Sequence, residues 1–498
     1  MATPMNLTEK INFLREKSYK LETFEKVKEI DYNNFFKEYL LANKPCIFTP
    51  DVTMQWKSRK DWVMENHTPN YTFLRALFGD AIVPVANCKQ EQYSSHPKQD
   101  ILLSEYLDYW EKYRVDGYPE DEPRLYLKDW HFTKAYPDYK AYTTPVYFLS
   151  DWLNEFWDTL PQDDYRFVYM GPKGTWTPFH ADVYRSFSWS ANICGKKKWI
   201  FYPPGCEVML KDNLGNLVYD VTSPDLENQK KFPNAFKVKG QMLEVIQGEG
   251  QIIFVPSGWH HQVYNLEDTI SINHNWLNGC NIDICWKHLH SGLQDVKKEI
   301  EHCRDMDGWN TQCQLILKAC AGIDYKQFLQ MLRVIAENRI EQHKKQETSG
   351  AIAELCIGNT GIVAESQPLD NRKQQEMQEN NVKEIYMSEK CSNEISELEK
   401  ERTKEQKEVY TKRSFCDKKE FSLPKELWEH FAMFAFSSDW EWSENDYLIF
   451  DLYRIRHILQ VIISDEDYKS LYKEYNDSAE YIIDIIESWK TNKLLPFN

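Results

Sequence analysis

The sequence has few features of a secreted or membrane protein. Its twelve cysteines are spread singly along 498 residues and none forms a Cys-x-x-Cys pair, so neither a zinc ribbon nor a dense disulfide framework is indicated. The first residues are polar and no run of about eighteen apolar residues occurs, so we expect no signal peptide and no membrane span. We therefore expect reduced thiols and a cytoplasmic location, with the nucleus as the alternative.

The sequence also lacks an excess of positive charge. Lysine and arginine total 60 against 77 aspartates and glutamates, which gives a formal net charge of −17. Because binding to phosphate groups of nucleic acid or anionic lipid needs clustered basic residues, we expect neither direct nucleic acid binding nor a membrane partner. A protein partner is easier to accommodate. The sequence leaves the oligomeric state open.

The middle of the chain has the pattern of a β-barrel. Residues 1–160 mix helical and extended patterns and predict an α/β region that flanks it, including an extended segment at 146–149. Residues 161–280 change to short strands separated by Gly, Pro and Asn, with a loop-like insertion at 206–240. The predicted strands are 166–170, 180–182, 186–194, 197–202, 243–247, 251–255, 261–266 and 269–276. The fold class is therefore mainly β with flanking helices, around a double-stranded β-helix, the jelly roll of cupins.

Helical periodicity returns after the barrel. Residues 281–343 predict a helical extension, and residues 421–498 predict a C-terminal helical unit. Between them, residues 344–420 are rich in Glu, Lys, Gln, Asn and Ser and almost free of aromatic residues. Such a composition buries too little apolar surface to offset chain entropy, so we expect a disordered insertion.

Two motifs carry the candidate chemistry. His180 and Asp182 form a His-x-Asp pair, and a Pro-Ser-Gly-Trp-His-His run at 256–261 follows later. On an extended segment, alternation points both members of the pair to one face. One further histidine would complete two imidazoles and a carboxylate, the facial triad that holds non-haem Fe(II) with open positions. An isolated His-x-Asp is weak, since it occurs by chance in many proteins, and alternation places His260 and His261 on opposite faces.

Three motifs in order, Thr-Pro-x-His-x-Asp, the Lys-rich run at 195–204 and Pro-x-Gly-Trp-x-His, resemble the jumonji-C family of 2-oxoglutarate and Fe(II)-dependent oxygenases. The similarity covers about residues 165–280. It implies that His180 and Asp182 are iron ligands and that the third ligand lies five residues after the proline, which is His261. It also implies a packing or supporting role for His260.

The resemblance also implies where the co-substrate binds. Lys197 falls where the family places its 2-oxoglutarate lysine, and strand alternation separates it from Lys196 and Lys198. Thr177 matches a position whose hydroxyl bonds the same carboxylate, and Asn273 matches a polar contact of some relatives. The last predicted strand has one wholly polar face, which suits a barrel that holds an anionic ligand. That face comprises Thr269, Ser271, Asn273 and Asn275.

The reaction follows from the resemblance. It implies Fe(II), 2-oxoglutarate and O₂ as cofactor and co-substrates, with succinate and CO₂ released as a substrate is hydroxylated. Residues 167–190 are similar to the family member that hydroxylates a lysine of the eukaryotic translation termination (release) factor, so that factor is the expected substrate. The alternatives are a histone N-methyl-lysine demethylase of the same family and a non-catalytic jelly-roll scaffold. The chain lacks a Cys-rich finger or reader module, which disfavours the demethylase, and its intact ligand set disfavours the scaffold.

Overall fold

The computed structural model describes residues 7–358, 442–471 and 478–491. In this part of the chain a nine-stranded sheet, ordered β1-β2-β11-β8-β13-β6-β5-β3-β4, faces a four-stranded sheet, ordered β10-β9-β12-β7. The strands are β1 (Glu25–Val27), β2 (Cys46–Phe48), β3 (Ile82–Asn87), β4 (Lys98–Leu102), β5 (Leu125–Trp130), β6 (Arg166–Gly171), β7 (Trp176–His180), β8 (Phe187–Cys194), β9 (Lys197–Tyr202), β10 (Leu243–Gln247), β11 (Ile252–Val255), β12 (His260–Asn265) and β13 (Thr269–Trp276).

The last eight strands form the predicted jelly roll. Four of them, β6, β8, β11 and β13, lie in the larger sheet, and the other four make up the smaller sheet. Neighbouring barrel strands pair antiparallel throughout, for example β8 with β13 and β9 with β12. The predicted fold class is confirmed, because this division of strands between two sheets and the cupin-like match given below both describe a jelly roll.

Seven of the eight predicted barrel strands match the observed strands to within one residue at each end. The prediction for residues 180–182 is wrong, because β7 ends at His180 and Asp182 begins a 3₁₀ turn. The backbone of Asp182 is still extended, at φ −57° and ψ 154°, before the chain reverses toward β8. The predicted extended segment at 146–149 is also wrong. It forms a 3₁₀ turn after Pro145, which lets Phe148 stack on Trp189 instead of joining a ladder.

Helices precede and follow the barrel. Asp31 is the N-cap of α2, since its side chain accepts a hydrogen bond from the Asn34 amide at 2.9 Å. The helices are α1 (Leu7–Ser18), α2 (Tyr32–Phe35), α3 (Lys57–Asp61), α4 (Tyr71–Phe78), α5 (Leu103–Val115), α6 (Phe132–Ala135), α7 (Trp152–Trp157), α8 (Ile282–Glu299), α9 (Trp309–Ala321), α10 (Tyr325–Gly358), α11 (Glu444–Ser464), α12 (Glu466–Leu471) and α13 (Ala479–Thr491). A π-helical turn, Phe36–Leu40, extends α2.

The first region does more than flank the barrel, because strands β1 to β5 extend its larger sheet. Apolar side chains of β8, β11 and β13 pack beneath the N-terminal helices in an aromatic core that includes Trp189, Phe254 and Trp276. A second core lies among the helices after the barrel and includes Trp286 and Phe328.

The insertion predicted as a loop at 206–240 has its own structure. It contains short 3₁₀ turns, and its apolar residues pack around Ile200 and Tyr202 of β9. Of the segment predicted to be disordered, residues 344–358 form the backbone end of α10, and the remainder lies outside the described residues. No helix within the described ranges is long and apolar enough to cross a membrane.

Candidate active site

The three predicted metal ligands meet at one end of the barrel. His180 at the end of β7 pairs directly with His261 on β12, and their ring centroids are 4.4 Å apart. Asp182 lies just past the end of β7. One side-chain donor atom from each of the three residues lies within 4.8 Å of the other two. The smaller sheet therefore places both imidazoles, and the turn after β7 places the carboxylate.

Hydrogen bonds fix the imidazoles in the form that a metal requires. The Nδ1 of His180 lies 2.8 Å from the Pro178 carbonyl, and the Nδ1 of His261 lies 3.1 Å from the Trp259 carbonyl. A carbonyl only accepts, so each Nδ1 carries the proton and each Nε2 keeps a free lone pair. Burial and the neighbouring His261 lower the pKa of His180 to about 4, so this ring is neutral at pH 7.

The Asp182 carboxylate is held in turn by Ser188, whose hydroxyl donates to Asp182 Oδ2 at 2.6 Å. Two imidazoles and a carboxylate, each oriented by a second group, are the donors that a non-haem Fe(II) site uses. The residues present therefore fit an iron ion, and His180, Asp182 and His261 are the residues that could hold it.

His260 points away from this cluster. Its Nε2 accepts a hydrogen bond from Arg185 Nη1 at 2.9 Å, and its ring packs against Phe179. Burial and the Arg185 guanidinium lower the pKa of His260 to about 2. The structure thus separates the two adjacent histidines as strand alternation requires, with only His261 beside His180.

Lys197 lies inside the barrel on β9 and is only 2% exposed. Its ammonium donates to the Ser271 hydroxyl at 2.8 Å and lies 3.4 Å from the Tyr126 hydroxyl. No carboxylate among the described residues forms an ion pair with it. Burial, together with the charge of Lys128, lowers the pKa of Lys197 to about 7. A buried cation without a protein anion is a binding position for the carboxylate of a ligand.

The other predicted contacts line the same cavity, whose volume is about 400 Å³ and within the range of small-molecule sites. Thr177 lies on β7, and the Asn273 amide donates to the Ser271 hydroxyl at 3.3 Å. The charged and polar lining includes Lys98, Tyr126, Lys128, Asp129, Thr177, His180, Asp182, Lys197, His261, Asn273 and Asn275. Of the polar face predicted for β13, Asn273 and Asn275 line the cavity and Ser271 contacts Lys197, while Ile270, Ile272 and Trp276 pack in the aromatic core.

Sequence reasoning missed the contribution of β5. Tyr126 and Lys128 line the cavity, and their alternation with Leu125 and Leu127 along this short strand was the available signal. Asp129 also lines the cavity, at a point where the register between β5 and β6 shifts and with φ of 59°. Its Oδ1 accepts a hydrogen bond from the Tyr169 hydroxyl at 2.6 Å, and its Oδ2 contacts the Lys98 ammonium.

A second missed residue supports His261 from the N-terminal region. The Asn43 side chain accepts from the Ser257 amide and donates to the Ser257 carbonyl, both at 2.8 Å. The Trp259 indole donates to the Asn43 carbonyl at 3.0 Å. Asn43 is fully buried with φ of 52°, a conformation that asparagine tolerates better than most residues. This residue therefore fixes the loop that leads into His261.

A jelly roll with two histidines and an aspartate at one end and a buried, unpaired lysine inside defines the class of cupin-like, metal-dependent oxygenases. Residues 32–281 match the cupin-like domain family. With the relatives below, this match shows that the chain belongs to the jumonji-C, 2-oxoglutarate and iron-dependent oxygenases of that fold. The predicted family, its iron and its 2-oxoglutarate are confirmed.

The chain is similar to several curated proteins. It is 54% identical over 321 residues to the 2-oxoglutarate and iron-dependent oxygenase JMJD4 of Gallus gallus, covering 64% of this chain and 75% of that protein. It is 50% identical over 310 residues to JMJD4 of Homo sapiens, covering 62% and 74% respectively. It is 41% identical over 361 residues to the arginine-specific demethylase JMJ20 of Arabidopsis thaliana, covering 68% and 76%.

Proposed function

We propose that this oxygenase hydroxylates a lysine side chain of a protein substrate, and that the substrate is the eukaryotic translation termination factor. The single observation that supports a cationic substrate side chain is Asp129. Of the described residues that line the cavity, only Asp129 and Asp182 carry carboxylates, and Asp182 belongs to the metal cluster. Asp129 is therefore the lining carboxylate outside the metal cluster, and a cationic substrate group would share it with Lys98 or displace Lys98 from it.

The surroundings of Asp129 suit a lysine. The Lys98 ammonium contacts its Oδ2, which shows that this carboxylate can accept a primary ammonium group. Phe167, Tyr169 and Trp189 also line the cavity, so apolar ring surface is present for the aliphatic stem of a lysine. Burial would raise the pKa of Asp129, but Lys98 and Lys128 lower it overall, so the carboxylate is ionised at neutral pH.

The roles of the site residues follow from their positions. When bound, iron and 2-oxoglutarate supply the activation of O₂ that converts a C–H bond to C–OH, with succinate and CO₂ as co-products. His180, Asp182 and His261 would hold the iron. Lys197 would bind the far carboxylate of 2-oxoglutarate, and the lining residues Tyr126, Thr177 and Asn273 would complete that polar pocket.

Partner and compartment belong to the same proposal. The net charge of −17 favours a partner that presents basic surface to the enzyme, and it disfavours nucleic acid. We place the reaction in the cytoplasm, where the expected substrate acts.

N-demethylation is the second candidate function, because one relative is named an arginine-specific demethylase. A demethylase uses the same cofactors but hydroxylates an N-methyl carbon, after which the methyl group leaves as formaldehyde. A methylated guanidinium or methylated ammonium is also cationic, so Asp129 is compatible with both candidates. The products separate them.

The test uses the full-length protein with Fe(II), 2-oxoglutarate and O₂. Peptides that tile the termination factor are compared with histone peptides methylated on lysine or arginine, and succinate, formaldehyde and peptide mass are measured. The proposal expects one added oxygen atom on an unmethylated lysine and no formaldehyde. Loss of methyl groups with formaldehyde release would replace it by the demethylase function.

Two controls define the background. His180→Ala removes a metal ligand and should abolish the added oxygen, whereas His302→Ala, on the 3₁₀ turn Glu301–Cys303 outside the barrel, should leave it unchanged. Oxygen added equally in the His180→Ala sample would show that the modification is not enzymatic.

A further inference from the structure

The carboxylate ligand lies outside the sheet that holds the two histidines. Because β7 ends at His180, no strand ladder fixes the backbone of Asp182. Its carbonyl instead accepts a hydrogen bond from the Arg185 amide at 3.0 Å, which closes the turn Val183–Arg185. The geometry of this turn therefore decides where the carboxylate of Asp182 lies.

The turn is held in an unfavourable backbone conformation. Tyr184 has φ of 57° and Arg185 has φ of 54°, so two consecutive residues with bulky side chains occupy the left-handed region. Such residues rarely adopt positive φ, and they keep it only where surrounding contacts impose it. Two sets of contacts do so here.

The first set ties Tyr184 to the helices after the barrel. Its ring is 4% exposed and belongs to the second core, with Trp286 of α8. Its hydroxyl pairs with the Tyr165 hydroxyl. Gly322, the residue after α9, lies so close that a Cβ atom there would be 2.8 Å from the Tyr184 Oη.

The second set ties Arg185 to the strand of the third ligand. Its Nη1 donates to His260 Nε2 at 2.9 Å, next to His261. Its carbonyl accepts from the hydroxyl of Ser257, the residue that Asn43 also binds. The turn is thus fixed from the helical side by Tyr184 and from the barrel side by Arg185.

We infer that Tyr184 and Arg185 are positioning residues for the Asp182 ligand, and that helices α8 and α9 support the metal centre through Tyr184. These helices lie after residue 281, where the match to the cupin-like domain ends. The inference concerns the metal centre alone and is independent of the substrate.

The test measures metal affinity in the full-length protein, with Mn(II) titrated by electron paramagnetic resonance and Co(II) followed by its visible absorption. Tyr184→Ala removes the helical anchor and should weaken Mn(II) binding about tenfold, the lower end of the effect of residues that orient metal ligands. It should also change the Co(II) spectrum, because the carboxylate changes position. Tyr184→Phe keeps the ring and should have a smaller effect.

The matched control is Tyr468→Phe in the same helical core. The Tyr468 hydroxyl donates to Glu480 and accepts from the Ala479 amide, both at 2.9 Å, so the variant loses buried hydroxyl bonds far along the chain from the turn. It should lower thermal stability while leaving Mn(II) affinity and the Co(II) spectrum unchanged. A loss of Mn(II) affinity in Tyr468→Phe as large as that in Tyr184→Phe would overturn the inference, and so would an unchanged affinity in Tyr184→Ala.

A second variant keeps the inference testable if Tyr184→Ala does not fold. Gly322→Ala directs a Cβ at the Tyr184 hydroxyl, whereas in a Tyr184→Phe background the nearest ring carbons are 3.4 and 3.5 Å away. The same backbone strain at φ of 84° is present in both backgrounds. We expect Gly322→Ala to weaken Mn(II) binding more in the wild type than in the Tyr184→Phe variant. Equal losses in the two backgrounds would contradict support of the metal centre through Tyr184.

Discussion

Buried positive side chains have different partners among the helices that surround the barrel, called the helical region below, and inside the barrel. In the helical region Arg454 is fully buried and donates to Asp283 at 2.6 Å, and Arg15 donates to the other oxygen of the same carboxylate at 2.7 Å. In the barrel Lys197 is almost as buried but binds only hydroxyl groups. The two arginines therefore form ion pairs within the protein, whereas Lys197 can still pair with the carboxylate of a ligand.

The same contrast is seen in the pKa values of the buried charged groups. Burial opposes ionisation of Asp283, but Arg15 and Arg454 lower its pKa far below the usual value. Lys197 has no such compensation, and its pKa falls toward neutrality. An unpaired buried cation destabilises the free protein. Its presence therefore indicates a function in which an anionic ligand binds and compensates the charge.

The largest effect is expected where the helical pairing is broken. Asp283→Asn leaves Arg15 and Arg454 buried without a carboxylate, and removing one partner of such a group costs about 3–5 kcal/mol of unfolding free energy. Urea unfolding measures the change. The folded variant should retain the 2-oxoglutarate KM of the wild type.

Its control is Arg304→Met, which breaks an ion pair with Glu301 whose two side chains are 71% and 55% exposed. Exposed pairs contribute little, so unfolding should change by less than about 1 kcal/mol. A similar loss of unfolding free energy in both variants would mean that the buried ion pairs contribute no more to stability than an exposed pair.

The next prediction concerns Lys197, whose replacement should stabilise the free protein, whereas Asp283→Asn should destabilise it. Lys197→Met should weaken 2-oxoglutarate binding about 100-fold, because it removes a charge-assisted bond to the far carboxylate. The same change should raise the unfolding free energy of the protein free of 2-oxoglutarate, since it removes an uncompensated buried charge. Calorimetric titration and urea unfolding give the two values.

Lys196→Met is the matched control, because that side chain is 56% exposed and pairs with Glu267. It should change neither measurement appreciably. If Lys197→Met destabilised the free protein as Asp283→Asn does, the contrast between the two regions would fail.

The third effect concerns the substrate end of the cavity. Asp129→Asn should raise the KM for a lysine peptide about tenfold, because an ionic contact with a half-buried carboxylate is lost. The 2-oxoglutarate KM should stay the same. Lys98→Met should lower the peptide KM, since it removes the ammonium that now contacts Asp129.

Asp163→Asn serves as the control for both, because its side chain is 66% exposed and contacts Lys134 outside the cavity lining. The wild-type enzyme could hydroxylate lysine while Asp129→Asn keeps the wild-type KM for the peptide. That result would support the proposed function but show that Asp129 does not recognise the substrate. Steady-state kinetics on one peptide decide this.

Most of the barrel could be predicted because its signal is local. Short extended runs separated by Gly, Pro and Asn predicted β9, β10 and β13 with the bounds that the structure has, and the polar face of β13 predicted a ligand-binding interior. The Asp182 carboxylate joins the histidines although it lies outside the strand, because its extended backbone continues the alternation for two residues.

What could not be predicted depends on contacts between distant segments. Asn43 binds Ser257, and Tyr184 packs on helices after the barrel, and no local pattern indicates either contact. Positive φ at Asn43, Asp129, Tyr184 and Arg185 is imposed by tertiary structure against local preference. These residues surround the site, where function outweighs local preference.

The smallest effect is a pH dependence that belongs to Lys197. Its pKa in the folded protein is lowered to about 7 from the usual 10.5, so between these values the unfolded chain binds more protons and stability rises with pH. A bound 2-oxoglutarate carboxylate favours the charged lysine, so binding above pH 7 takes up a proton. The Kd for 2-oxoglutarate should therefore rise about fivefold between pH 7 and 8. Titration calorimetry in two buffers of different ionisation enthalpy measures this proton uptake, which Lys197→Met should abolish. A Kd independent of pH across this range would show that Lys197 stays charged in the free protein, and the barrel would then resemble the helical region in compensating its buried cation.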